Sequence, residues 1–177
     1  WDLGAWSQPG VGTGGEAFNT EQRQRIASRL SRDGREYIKI NLAELFLVAE
    51  KADPAQIGQR YVMRGQVVLT PGLEKAKRLA VVRLNVWCCL ADAVWVGFLV
   101  EPPQGKLPGH GQWVRLYGRL EPRQGAPKQS EAVMDKATNR LTAINQRFVF
   151  RAEELRSIPA PALPYIFQAR GQEPYAY

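Results

Sequence analysis

After Gly58 the chain holds five runs in which apolar residues recur at every second position, and two of these runs carry a central glycine. They cover residues 61–69 with Gly65, 79–88, 94–101, 112–121 with Gly118, and 146–152. Period-two alternation is the signature of a strand with one face buried. A glycine inside such a strand marks a bulge or a sharp bend, which lets a short strand curl around a small barrel. Thr70-Pro71-Gly72, Pro102-Pro103 and Pro122 stop three of the runs. The pattern predicts a mainly β chain built on a five-stranded OB-like barrel over residues 59–158.

Residues 20–58 read as a lead-in that packs on the barrel. A short amphipathic helix is expected over 21–30, behind Thr20 as N-cap. A brief strand follows over 37–40, then a second helix over 42–51, capped by Asn41 and broken by Asp53-Pro54. Residues 1–19, rich in glycine, are expected to be a flexible linker, and 159–177 a Pro-rich, extended tail. The polar segment 122–145 is expected to hold a helical turn near 130–136. The first residue is Trp rather than Met, so the chain reads as a fragment or a processed product, with room for a membrane segment upstream.

The formal net charge is +7, and it is unevenly spread. Residues 1–58 hold 7 Lys/Arg against 8 Asp/Glu, and residues 59–177 hold 17 against 9. That excess suits an anionic partner or a solubilising surface. No apolar run approaches the roughly 18–20 residues of a membrane-spanning helix. The one histidine, His110, sits in a glycine-rich loop and supports no Ser-His-Asp arrangement. Gly12-x-Gly14-Gly15 lacks both the preceding strand and the following Lys-Ser/Thr of a phosphate loop. An enzyme is not expected.

The segment 81–93, VVRLNVWCCLADA, stands apart. Read as a strand, Val82, Leu84, Val86 and Cys88 face the interior, while Arg83, Asn85, Trp87 and Cys89 face outward. In the next strand Val94, Val96, Phe98 and Val100 face inward and Trp95 outward. Trp87 and Trp95 then form a possible interaction face near Arg83, unless the N-terminal helices cover it. Three chemistries are open for Arg83, Cys88, Cys89 and Asp92. Arg83 and Asp92 would form an ion pair that fixes the hairpin. Cys89 and Asp92 would contribute to a soft-metal site, with His110 as a distant third candidate. Cys89 would be a redox or nucleophilic thiol activated by Arg83. Adjacent cysteines cannot build a disulfide framework.

These residues also carry a family resemblance. Arg83, then Cys88-Cys89, then Ala91-Asp92-Ala93 resembles the YcgQ-like permease-subunit family in its C-terminal soluble domain, formerly a domain of unknown function. Ile57-Gly58-Gln59 with Gly65, Trp113-Val114 with Gly118, and Pro164-Tyr165 agree with it, over about residues 36–166. Gln59 departs from the lysine usual there. The resemblance implies a non-enzymatic accessory domain of a membrane transport assembly, acting through the Arg83–Asp92 hairpin. It also implies an integral-membrane permease subunit as partner and a membrane-associated location on an undetermined side. The alternatives are an OB-fold binder of single-stranded nucleic acid, drawn from the basic barrel and the two tryptophans, or a metal-carrying module. No resident cofactor is expected beyond a possible metal ion.

Overall fold

The computed structural model describes residues 27–104, 107–125 and 142–177. The expected linker over 1–19, most of the 21–30 helix and the 130–136 turn lie outside the described residues. The first element is a hairpin of β1 (Arg29–Arg32) and β2 (Arg35–Lys39), antiparallel, with Arg32 opposite Arg35. Asp33 and Gly34 form its two-residue loop, with φ of 49° and 72°. An Asp-Gly pair takes left-handed conformations at both positions readily, which is what a tight hairpin loop of matching twist requires. This corrects the helix expected to run through Arg29 and Leu30: the turn residues following them impose strand pairing on both.

Helix α1 (Leu42–Lys51) starts at Asn41, whose Oδ1 accepts from the Glu44 amide at 3.0 Å, and ends at Ala52 in a left-handed C-cap. Its inward face, Leu42, Leu45, Val48 and Ala49, joins the main core, and Asp53 caps the short α2 (Pro54–Ile57). The barrel follows: β3 (Arg60–Val68), β4 (Leu79–Asn85), β5 (Val94–Glu101), β6 (Trp113–Pro122) and, after a three-residue strand β7 (Thr142–Ile144), β8 (Phe148–Ser157). β3–β4, β4–β5, β6–β8 and β3–β6 pair antiparallel, and β5–β8 pairs parallel. The strand order 3-4-5-8-6 therefore returns to β3, and the expected five-stranded OB-like barrel is closed. β2 runs parallel to the start of β3, and β7 lies parallel to β5. Helix α3 (Pro71–Lys75), capped by Thr70, buries Leu73 in a second small cluster with Ala80, Leu99 and Val149.

Two glycines hold the barrel tight. At Gly118 the β6–β8 register shifts by a bulge, and a Cβ there would lie 2.0 Å from the Arg151 carbonyl oxygen. At Gly97 a Cβ would lie 2.2 Å from the Val81 carbonyl oxygen of the neighbouring strand. Backbone cannot retreat from such contacts without opening the ladder.

The interior set differs from the expected one on β4. Leu79 and Val81 belong to the main core with Val96, Phe98 and Val100, whereas Leu84 and Val86 pack outside with Ala93, Trp95 and Tyr165. Directly opposed residues share a face. The register sets Leu79 against Val100, Val81 against Phe98 and Arg83 against Val96, so Arg83 points to the interior side. Six of the seven β4 residues are buried, so apolar alternation could not tell one face from the other. Residues 86–88, expected in the strand, lie beyond its end at Asn85.

Gly97→Ala is expected to destabilise the domain by about 1–3 kcal/mol through overpacking against β4. Urea unfolding should show a lower midpoint with an unchanged slope.

Candidate functional site

β4 ends at Asn85 and β5 begins at Val94, so the ladder delivers a short connection at one end of the barrel. Residues 87–92 are all exposed, with Trp87 at 79% and Leu90 at 52% of their full accessibility. Both cysteines are free and exposed, which corrects the expectation that Cys88 would be a core residue. The strand ends before it, so period-two facing does not reach it.

The connection is closed by Asp92. Its carboxylate accepts from the Cys88 amide at 3.3 Å, the Cys89 amide at 3.2 Å and the Cys88 thiol at 2.8 Å. The thiol donor holds the Asp92 carboxyl below the usual carboxylate range, with help from the Cys89 amide. The same bond, with the Cys89 side chain second, pushes the Cys88 thiol up. Ligand atoms of Cys88, Cys89 and Asp92 lie within 4.8 Å of one another. Two thiolates and a carboxylate so gathered offer three donors to a thiophilic cation such as Zn²⁺, one short of a closed tetrahedral set. His110 is not among them. Its Nδ1 accepts from the Leu69 amide at 3.1 Å, and its loop lines a separate depression with Trp95 and Thr142.

The expected Arg83–Asp92 ion pair does not form. Arg83 is 4% exposed, and its guanidinium donates to the carbonyls of Leu163 at 2.8 Å, Pro164 at 3.0 Å and Tyr165 at 3.4 Å. Burial, and then the nearby Arg64 cation, push its pKa down to about 10, so it remains charged at neutral pH. Arg83 therefore holds the tail, and its donors are engaged away from Asp92 and Cys89. Nor do the tryptophans form one platform. Trp95 packs with Leu84, Val86, Ala93 and Tyr165, its indole Nε1 buried without an acceptor, while Trp87 projects outward. Helix α1 packs into the barrel core and leaves Trp87 uncovered.

The tail was missed as a contributor. Ile166 exchanges backbone bonds with β4: its amide donates to Leu84 and its carbonyl accepts from Val86. Farther on, Glu44, 1% exposed, accepts from the amides of Arg170, Gly171 and Ala176 and from Asn41 Nδ2. A carboxylate three residues beyond an N-cap Asn looks from sequence like half of a capping box, yet here it holds a distant segment. Several of the arginines on and beside the barrel are paired with carboxylates, while the net positive charge of residues 59–177 remains. Arg78 and Arg151 meet Glu101, Arg119 and Arg151 meet Glu121, and Arg35 and Arg60 meet Glu153.

Among the described residues no helix is long and apolar enough to cross a membrane. The family model described as the DUF1980 C-terminal domain matches residues 19–168. No curated protein matches. A solved structure described as a "putative aspartyl-tRNA synthetase from Leishmania major Friedlin" is similar at 13% identity and a TM-score of 0.36, over 72% of this chain. The matched part is 21% of that longer chain, and a likeness of that size says nothing about what this one does.

With Cys89 replaced by serine, Asp92→Asn is expected to shift the pH–rate profile of Cys88 alkylation to lower pH, because the carboxylate that opposes thiolate formation is gone. Iodoacetamide labelling across pH 6–10 measures it, with the rate at neutral pH rising by about two- to fivefold.

Proposed function

The chain belongs to the DUF1980 C-terminal domain family, and from that premise we propose that it is a non-enzymatic accessory domain of a membrane transport assembly, whose contact with an integral-membrane permease subunit is made by the 87–92 connection. The observation that carries this reading is the contrast between the connection and its base. Six consecutive exposed residues, including a tryptophan at 79% and a leucine at 52%, stand on a stem whose residues 79–84 are all buried. A large exposed aromatic side chain next to the end of a buried strand suits an interface anchor, since its apolar area is still open to a partner. The Asp92 carboxylate fixes the shape of the connection through two amides and a thiol.

Arg83 belongs to the foundation, and Trp87, Cys88, Cys89, Leu90 and Asp92 are the parts a partner would meet. Full-length protein carrying any upstream segment is expected to co-purify with the permease subunit. Trp87→Ala and Asp92→Ala should each reduce recovery about tenfold, the loss expected of an anchoring residue, without lowering the melting temperature of the isolated domain by more than a few degrees. Undiminished recovery of both variants would refute the role given to the connection.

The grouping of three ligand atoms within 4.8 Å favours a second reading, in which the same connection carries a thiophilic metal ion. Its fourth ligand would be water or a partner group. Reduced protein titrated with Co²⁺ should then show a sulfur-to-cobalt charge-transfer band that Cys88→Ser and Cys89→Ser each diminish. No band in the unmodified chain would leave the protein-contact reading standing alone.

A further inference from the structure

A second concave site lies away from the cysteines. Residues 161–177 fold back over the barrel and leave a cleft of about 540 Å³ between them and β3–β4, within the roughly 300–1,000 Å³ typical of small-molecule sites. Its walls carry three arginines, Arg64, Arg83 and Arg170, and neither an Asp nor a Glu. The polar surroundings already engage two of them. Arg83 donates to the Leu163–Tyr165 carbonyls, and Arg170 donates to the Pro174 carbonyl at 3.1 Å.

Arg64 differs. Its guanidinium lies 4.2 Å over the Tyr177 ring, and its Nε is buried with no hydrogen-bond partner. Among the described residues no carboxylate pairs with it, although most arginines on the outer barrel surface have one. Its cross-strand neighbour is Arg115, whose Nε is likewise buried and unpartnered. A buried donor without an acceptor costs free energy, and adjacent cations repel. Both costs fall when an anion enters. Burial first and then Arg64 lower the pKa of Arg83, with Tyr177 acting the other way, in keeping with cations crowded along this wall. Leu163, Tyr165 and Phe167 line the same space, with Leu163 and Phe167 more than half exposed. An occupant with an apolar body beside its charge fits these walls better than a bare inorganic ion.

We infer that this cleft binds a small organic anion, a carboxylate or phosphate monoester carrying an apolar or aromatic body, with Arg64 as its principal cation. The inference is independent of the Cys88–Asp92 connection and survives if that connection contacts nothing.

The test is calorimetric titration of the full chain at fixed ionic strength with phenyl phosphate, benzoate and inorganic phosphate, followed in parallel by amide chemical shifts. At least one aromatic anion should saturate about tenfold more tightly than inorganic phosphate, and the tighter of the two identifies the preferred head group. Shifts should gather at Arg64, Phe167, Arg170 and Tyr177. Arg64→Gln should weaken binding about tenfold or more, whereas Arg156→Gln on the exposed end of β8 should not. Absence of saturable binding by the unmodified chain, shifts scattered over surface arginines, or unchanged affinity in Arg64→Gln would each overturn the inference. The first two readouts use the unmodified protein, so they decide the matter even if the variant folds poorly.

Discussion

A buried guanidinium organises the business end of this barrel. The β4–β5 register puts Arg83 on the interior side, opposite Val96, and leaves it only 4% exposed. A cation there is tolerable only if its N–H groups find acceptors. The acceptors are three successive main-chain carbonyls from residues 163–165, about eighty positions away in sequence. The tail must therefore cross the end of the barrel, and Ile166 then adds itself to the edge of β4. Glu44 completes the arrangement with the opposite charge, gathering amides from farther along the same tail. A buried cation thus holds the tail by its carbonyls and a buried anion by its amides.

Two consequences bear on function. Because Arg83 is committed to the tail, Asp92 is free to close the 88–92 turn on its own amides, and the thiols remain at the surface. Because the tail is held at two places, the span between them bridges the barrel and walls the arginine-lined cleft. The exposed connection and the cleft are separate features that share one foundation.

The barrel was legible in the sequence because its evidence is local and repeated. Alternating runs, proline stops and Gly118 at a bulge all survive into the structure, and Asn41 starts α1 as its side-chain chemistry requires. What escaped depended on contacts between distant residues, or on signals outweighed by others. Apolar residues on both faces of β4 hid which side was inward. The inward set read correctly on β5, carried across an antiparallel pair, would have placed Arg83 with Val96. Asp33-Gly34 is a local hairpin signal that lies just past the amphipathic spacing of residues 21–30, and in the structure it governs Arg29 and Leu30. Thr70-Pro71 stops β3 and, as a capping threonine before proline, also opens α3. Nothing local in Arg64, Glu44 or the tail announces that they meet, because their pairing is a product of the closed fold.

The dependence of the tail on Arg83 is tested most directly by amide hydrogen exchange on Arg83→Met, which keeps the bulk of the side chain and removes its donors. The expected result is exchange at least about tenfold faster at Ile166 and across residues 170–176, with β6 and β8 amides protected as before. Tail amides that keep their protection in this variant would contradict the account, since the tail would then be held by packing and Glu44 without need of the buried cation.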